Sequence, residues 1–259
     1  MAKPRIGIFK FTSCDGCQLS IFNLEEEFLQ IAGLTEIAYF QEGQDAPDGN
    51  GFQAWAAHFD LAVVEGSIST ERQSKELLDI RENSSRLITI GACATAGGVQ
   101  ALRNWADVSE FKASEYPAPD AVEALAESTP ISAHVHVDYE LWGCPINSAE
   151  FSEVLASFLL GKTPGVPGYS LCMECKRKGI PCVLVAGQAP CLGPVTRAGC
   201  GVLCPSLNRA CYGCFGPKDG ANIMALMRIF QGFGYTENQC RMMLDKMNTY
   251  KFREMEEKG

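Results

Sequence analysis

Cysteine is the residue whose number and spacing in this chain could do chemistry, since 13 of the 259 residues are cysteines. Eight of them crowd into positions 172–214, namely Cys172, Cys175, Cys182, Cys191, Cys200, Cys204, Cys211 and Cys214. Zinc often takes four thiolates from paired CxxC units, and two such units are present. Iron–sulfur clusters also take four cysteines, in loops rich in Gly and Pro. The spacing of this segment therefore leaves both kinds of site open and modestly favours iron–sulfur.

Four further cysteines, Cys14, Cys17, Cys93 and Cys144, are scattered over the first 150 residues. They lie in TSCDGC, GACATAGG and WGCPIN, at the ends of predicted strands. In an open parallel sheet, sites form beyond the carboxyl ends of the strands, so we expect these four to meet at one edge. Each one alone would be interpreted as a small buried hydrophobe. A four-cysteine site from three loops is not the local-pair pattern of zinc fingers, and it favours iron–sulfur.

The elements that must position these loops form an α/β pattern. Apolar runs predict strands at 5–11, 36–40, 59–64, 87–90 and 135–137. Helical spacing of apolar residues, with Thr70 opening the second helix, predicts helices at 18–32, 71–83, 120–127 and 149–160. Strands that alternate with helices indicate a doubly wound parallel sheet.

The segment from Gly161 to Gly220 has a different composition, with 11 Gly, 7 Pro and 8 Cys. So few large apolar side chains cannot build an ordinary core, and such a segment must be held by cross-links or metal. Two helices are predicted at its end and beyond, at 219–231 and 236–248. We therefore expect two domains, residues 1–165 with the sheet and residues 166–259 with the clustered cysteines.

Charge and composition exclude other classes of protein. The 22 Lys and Arg against 31 Asp and Glu give a net charge of −9, which argues against a nucleic-acid partner because phosphate binding needs a basic face. The N-terminal MAKPRIGIFKF has no apolar signal core, and no run approaches the ~20 apolar residues of a membrane helix. We expect a cytoplasmic protein with no membrane partner, in which cysteines bind metal or do redox chemistry rather than form disulfides.

The remaining candidate residues have simpler interpretations. His58, His134 and His136 are expected to pack or face solvent rather than bind metal, and Cys240 to be a packed thiol on a helix. Glu65 ends a buried strand and is expected to hydrogen-bond backbone near the four scattered cysteines. The glycines of GACATAGG do not match GxGxxG or a phosphate loop, so no nucleotide site and no catalytic residue is predicted on this chain.

The ordered motifs SCDGC, VEGSIS, GACATAGG and GCPIN resemble the small, electron-transferring subunit of nickel–iron hydrogenases, and CLGPVTRAGC and CYGC extend the resemblance over nearly the whole chain. The chain is most similar to the cytoplasmic, sulfhydrogenase-like group that couples hydrogen to a pyridine nucleotide. The resemblance implies a flavodoxin-like first domain, followed by an irregular, loop-rich iron–sulfur domain with C-terminal helices.

The resemblance also implies three [4Fe-4S] clusters. The proximal set is Cys14, Cys17, Cys93 and Cys144. The distal set is Cys172, Cys175, Cys182 and Cys191. The medial set is Cys200, Cys204, Cys211 and Cys214. Many members have histidine where Cys172 stands and a three-iron medial cluster, so the thiolates of Cys172 and Cys204 predict four irons in both. The spacing alone leaves the pairing among Cys182, Cys191, Cys200 and Cys204 open.

By the same resemblance, the chain relays electrons from hydrogen oxidation in a partner large subunit, which holds the nickel–iron centre, or carries them in reverse for hydrogen production. Electrons pass from the proximal to the medial to the distal cluster, and on to an iron–sulfur or flavin subunit that reacts with NAD(P). One alternative is the small subunit of a deazaflavin- or heterodisulfide-linked methanogen hydrogenase. The cluster-bearing subunit of respiratory complex I lacks the eight-cysteine tail, and a zinc-stabilised binding module is the rival from another class.

Overall fold

The first part of the chain is a parallel sheet of five strands. In the computed structural model, which describes residues 3–40, Gly43 and residues 58–258, the strands run in the order β2-β1-β3-β4-β5 with every neighbouring pair parallel. They are β1 (Arg5–Lys10), β2 (Glu36–Phe40), β3 (Phe59–Glu65), β4 (Ser84–Ile90) and β5 (Tyr139–Leu141). This order is that of flavodoxin-like folds and confirms the predicted doubly wound sheet.

Both faces of the sheet are covered, because alternate side chains enter two different cores. Ile8, Val63 and Ile88 pack in the core on one face. Phe9 and Val64 pack in the core on the other face. Successive side chains of a strand point to opposite faces, so a strand covered on both sides consists almost entirely of apolar residues. This is why the short apolar runs were sufficient to locate β3 and β4.

Helices connect the strands. Those of the first part are α1 (Gly16–Phe22), α2 (Glu26–Leu34), α3 (Glu71–Glu82), α4 (Gly91–Ala96), α5 (Val108–Glu115) and α6 (Ser148–Leu159). The Thr70 side chain accepts a hydrogen bond from the backbone N–H of Gln73 and so caps α3, as its sequence predicts. Neither α5 nor a 3₁₀ helix at Val99–Trp105 was predicted.

Three predictions of secondary structure are wrong. The helix at 18–32 is two helices, because Glu25 has a φ of 48° between α1 and α2. The helix at 120–127 is replaced by a short 3₁₀ turn at Pro119–Ala121; after it, Leu125 N–H donates to the carbonyl of Ser69 across 2.8 Å, so the backbone is paired outside a helix. The strand at 135–137 begins later, at β5, because the Asp138 carboxylate rather than a strand carbonyl accepts from Leu87 N–H at 2.8 Å.

The cysteine-rich part has short helices and a core of its own. Its helices are α7 (Leu171–Arg177), α8 (Val183–Gly187), α9 (Leu203–Ser206), α10 (Ile223–Gly232), α11 (Glu237–Leu244) and α12 (Thr249–Lys258). Leu171, Leu192, Phe230 and Phe252 are buried together with Cys191 and Cys211 in one cluster. A separate core supports the predicted boundary after residue 165, which stays a prediction.

The two parts are joined by polar and aromatic contacts. Asn147, which caps α6, donates from Nδ2 to the carbonyl of Gly199 at 2.7 Å. Helix α12 returns to α4 and the Val99–Trp105 turn, and the Arg253 guanidinium lies 5.0 Å from the centroid of the Trp105 ring. The cysteine-rich loops are thereby held against the carboxyl edge of the sheet. Among the described residues, no helix is both long and apolar enough to span a bilayer.

Candidate metal centres

The proximal set gathers at the carboxyl edge of the sheet. Cys14 follows β1, Cys17 lies in α1, Cys93 lies in α4 after β4, and Cys144 follows β5. Burial, together with the charges of Cys144 and Cys14 and against a hydrogen bond that the Cys93 thiol donates to Gln100 Oε1, raises the pKa of Cys93 to about 12. Burial likewise raises the pKa of Cys17, and the charges of Glu65, Cys93 and Cys144 act in the same direction. These mutual effects place the four thiols near one another at this edge, and their role as ligands of one cluster stays a prediction.

Glycines provide the space beside the proximal sulfurs. At Gly91, with a φ of 81°, an added Cβ would overlap the Cys17 Sγ atom. At Gly98, with a φ of 69°, it would lie 2.7 Å from the Cys93 Sγ atom. Non-glycine side chains are disfavoured at such φ values, so these positions require glycine for both backbone and space. The backbone at these two glycines, which we call the glycine cradle, thus leaves a space beside the Cys17 and Cys93 sulfurs that a single methyl group at either position would fill.

Glu65 supports this set from the end of β3. The side chain is only 2% exposed, and its Oε1 accepts a hydrogen bond from the Cys17 backbone N–H at 3.2 Å. Burial raises the pKa of Glu65 to about 7, against the Cys17 hydrogen bond that lowers it. The predicted backbone contact is therefore present. Gln18, fully buried next to Cys17, was not singled out from the sequence, although a polar residue on the apolar side of a predicted helix is a signal.

The distal set lines one cavity. Cys172, Cys175, Cys182 and Cys191 all border a space of about 190 Å³ whose other walls are mainly apolar, including Ile180, Pro181, Val183, Leu184, Pro194 and Pro205. Burial, together with the charges of Cys191, Cys175 and Cys182, raises the pKa of Cys172 to about 11. An added Cβ at Gly193 would lie 3.4 Å from the Cys191 Sγ atom. The four sulfurs therefore surround one space that the backbone leaves open.

The medial set lies between the other two. Burial, together with the charges of Cys200, Cys144 and Cys204, raises the pKa of Cys214 to about 12. Cys214 therefore lies near its own set and also near the proximal Cys144. Cys211 has its pKa raised by burial, and its backbone N–H donates to the distal Cys191 Sγ at 3.2 Å. The three sets thus follow one another in space as proximal, medial and distal.

Only the two end sets of this series contain an exposed cysteine. Cys14 of the proximal set and Cys182 of the distal set are exposed. The medial cysteines are all buried or half-buried. An electron relay needs this arrangement, because its terminal centres must approach partners while its middle centre must be shielded.

The other predicted candidates lie apart from these sets. Cys240 is fully buried in the core of the cysteine-rich part, with its Sγ 3.9 Å from the Met227 carbonyl oxygen. His58 Nε2 lies 2.7 Å from Ser85 Oγ, and His134 Nε2 lies 2.7 Å from Thr129 Oγ1. Within residues 3–40, 43 and 58–258, no three His, Cys, Asp or Glu side chains are arranged to hold a single metal ion.

The residues fit a bulky group with four thiolate ligands. Each set offers four cysteines, and the distal cavity and the glycine cradle provide space beyond the sulfurs themselves. Buried thiols whose charges raise one another's pKa form thiolates only when a positive group balances them, which a cluster's iron ions do. The donor set and the space around it therefore fit iron–sulfur ligation.

Comparison with known proteins agrees with this chemistry. The family model for NADH ubiquinone oxidoreductase, 20 Kd subunit, matches residues 14–158. The chain is 33% identical to Sulfhydrogenase 2 subunit delta of Pyrococcus furiosus, over 88% of this chain and 92% of that one. It is 30% identical to a subunit of the F420-non-reducing hydrogenase vhu of Methanocaldococcus jannaschii, over 83% and 82% of the two chains.

Solved structures share the fold. A chain of an NAD⁺-reducing [NiFe]-hydrogenase in the H2-reduced state superposes with a TM-score of 0.56 at 25% identity, over 64% of this chain and 96% of that one. A chain of the actinobacterial-type NiFe-hydrogenase of Ralstonia eutropha H16 gives a TM-score of 0.61 at 18% identity, over 84% and 79% of the two chains. The second match extends beyond the sheet into the cysteine-rich part.

Proposed function

The chain belongs to the family of the NADH ubiquinone oxidoreductase 20 Kd subunit, and from this premise we propose that it is the electron-relay small subunit of a [NiFe] hydrogenase. The observation that carries the proposal is the series of three four-cysteine sets with exposed cysteines only at its two ends. The family match ends at residue 158, before the eight clustered cysteines, so a subunit with one cluster would leave two of the three sets unexplained.

Twelve cysteines would hold three [4Fe-4S] clusters. The proximal cluster would be held by Cys14, Cys17, Cys93 and Cys144. The distal cluster would be held by Cys172, Cys175, Cys182 and Cys191. The medial cluster would be held by Cys200, Cys204, Cys211 and Cys214. When bound, such clusters supply one-electron redox centres with potentials of roughly −700 to +450 mV as a class.

The chain's own groups stabilise the thiolates. The Cys211 N–H donates to Cys191 Sγ at 3.2 Å, and the Gly213 N–H donates to Cys211 Sγ at 3.4 Å. Backbone N–H groups aimed at a ligand sulfur stabilise its negative charge and help to set a cluster's potential. Apolar walls around the distal cavity exclude water from one side of the sulfurs.

The partners follow from the two exposed ends. The large subunit with the nickel–iron centre would cover the proximal end at Cys14, where Leu19 of α1 is also exposed. An iron–sulfur or flavin subunit that reacts with NAD(P) would cover the distal end at Cys182. The similarity to the NAD⁺-reducing enzyme supports this acceptor, and we place the complex in the cytoplasm, with electrons flowing from hydrogen or in reverse.

A second candidate differs in its acceptor. The M. jannaschii relative belongs to an F420-non-reducing hydrogenase and is nearly as similar as the P. furiosus one. This favours the methanogen type as the alternative, a deazaflavin- or heterodisulfide-linked small subunit; because that relative does not reduce the deazaflavin F420, it supports the heterodisulfide-linked form rather than the deazaflavin-linked one. Both candidates use the same three sets, so they differ only in what docks at the distal end.

Metal analysis of cysteine variants tests the proposal. The anaerobically purified chain should contain about twelve irons and equal sulfide, with broad visible absorbance, as three four-iron clusters require. Cys17→Ala, Cys175→Ala and Cys214→Ala should each lose about four irons. Cys240→Ala is the matched control, a buried cysteine outside the sets, and should keep all of them. Stoichiometric zinc without sulfide, or equal iron loss in the control, would refute the assignment.

A further inference from the structure

Positive charge is concentrated around the distal and medial cysteines of an otherwise acidic protein. Positions 172–214 contain five basic residues and one acidic residue, a net charge of +4, whereas the whole chain carries −9. The remaining positions therefore carry −13. The thiolates of the two proposed clusters would add negative charge inside this segment, so the positive charge available to a partner is that of the basic side chains at its surface; such charges orient and accelerate association with a partner of complementary charge.

Four of these basic residues are exposed, and we call them together the basic patch: Lys176, Arg177, Lys178 and Arg209. Lys176 lines the distal cavity. Lys178 Nζ donates to the Gly201 carbonyl at 2.7 Å, which ties the end of α7 to the loop before α9. Arg209 follows α9, and its N–H donates to the Cys204 carbonyl at 3.0 Å. The patch therefore extends from the distal cysteines to the medial ones.

The charges of the patch are not neutralised within the described part of the chain. None of the four residues forms a salt bridge there, whereas the fifth basic residue, Arg197, is paired with Asp219 at 2.6 Å. Arg177 is held by a hydrogen bond to the Tyr169 hydroxyl at 2.8 Å and by its position 5.0 Å over the Tyr169 ring. These contacts fix the guanidinium and leave its positive charge available to a partner.

Apolar side chains accompany the patch and indicate that the partner is a protein. Val185, between Cys182 and Cys191, is 78% exposed. Leu203, the first residue of α9, is 65% exposed, and Leu207, the residue after α9, is 69% exposed. Protein interfaces combine an apolar centre with a polar rim, whereas a nucleic-acid site would need basic and stacking residues instead.

We propose that the basic patch docks an acidic face of the electron-accepting iron–sulfur or flavin protein that covers the distal end of the chain, for which an acidic ferredoxin serves as the probe. This rests on the proposed relay function, and it adds the charge and the contact residues of the partner. The exposed Cys182 and the cavity that Lys176 lines lie in the same area, so a docked carrier contacts the chain where its distal cysteines reach the surface.

Charge reversal in the intact, iron-loaded protein tests the docking. The variant is Lys176→Glu with Arg209→Glu. The matched control is Arg72→Glu with Lys75→Glu, the same charge change at two residues of α3, far from the patch in sequence. The probes are an acidic two-cluster bacterial ferredoxin and, as a probe of opposite charge, a basic cytochrome c. Affinity is measured by biolayer interferometry from 50 to 500 mM NaCl, with iron content determined for every sample.

The patch variant should bind the ferredoxin at least tenfold more weakly than the unmodified protein at 50 mM NaCl, and the control within twofold. Binding to the unmodified protein should weaken as salt rises, because exposed charges are screened. Cytochrome c should show no patch-dependent binding.

Three results would overturn the docking while leaving the relay function intact, provided that the iron content is normal. The first is that the unmodified protein does not bind ferredoxin. The second is that the patch variant and the control variant lose the same ferredoxin affinity. The third is that anionic vesicles or duplex DNA bind in a patch-dependent way while ferredoxin does not bind. An unmodified protein without iron would instead refute the relay function itself.

Discussion

Replacing Gly91 with alanine tests whether the space beside Cys17 is required. Gly91 has a φ of 81°, and an added Cβ would overlap the Cys17 Sγ atom. Carbon and sulfur need roughly 3.5–4.0 Å, so α1 or α4 must shift by about 1 Å. The backbone conformation costs alanine about 1–2 kcal/mol, and overpacking costs about 1–3 kcal/mol more. The expected loss of about 2–5 kcal/mol is a large part of a typical folding free energy.

Gly161 is the matched control. It also has a positive φ, of 65°, but an added Cβ would meet nothing within 4 Å. Gly161→Ala should therefore show the backbone cost alone, about 1–2 kcal/mol, and keep its full iron content. Urea unfolding measures the free energies, and iron analysis measures the proximal site. Gly91→Ala should lose about four irons, since ligand geometry must be held within about 0.5 Å. Equal stability and equal iron in both variants would refute the argument.

Three other predictions concern the surroundings of the sites. Glu65→Leu should lower the free energy of unfolding by about 1–3 kcal/mol because the buried Cys17 N–H loses its acceptor, while Glu65→Gln keeps one and should cost less; equal urea midpoints would contradict this. Removing iron with a chelator should expose the cysteine-bearing loops of the segment 161–220 to limited proteolysis while the sheet persists, because these loops would lose their metal cross-links; uniform digestion would count against it. Phe252→Ala should cost about 3–5 kcal/mol, since Phe252 is 2% exposed, whereas Phe111→Ala, at 55% exposed, should cost under about 0.5 kcal/mol; similar thermal shifts would be the opposing result.

The strands and the cysteine-bearing loops could be predicted from the sequence because their signals are local. A strand buried on both faces must be apolar, which located β3 and β4, and loops after parallel strands must share one edge. Thr70 and the acid after it marked the start of α3 in the same way. These features depend on residues within one element, so a single sequence contains all the information they need.

The errors arose where distant residues decide the local backbone. The segment 120–127 has helical spacing, but the Leu125 N–H is bonded to Ser69, more than fifty residues earlier in the chain. The Asp138 carboxylate occupies the hydrogen-bonding position opposite Leu87 and so delays the start of β5. Tertiary hydrogen bonds override local preference in both places, and neither partner is visible as a pattern in the sequence.

The pairing of the later cysteines could not follow from spacing for a related reason. Cys211 belongs with Cys214 by sequence, yet its N–H donates to Cys191 of the neighbouring set, so one peptide group connects two sites. The charge of Cys144, in the first part of the chain, raises the pKa of Cys214. The contacts that make the assignment of cysteines to sets ambiguous in the sequence also place the medial set between the other two sets in the structure. That position is what a relay requires: three four-cysteine sets that follow one another, with an exposed cysteine at each end of the series.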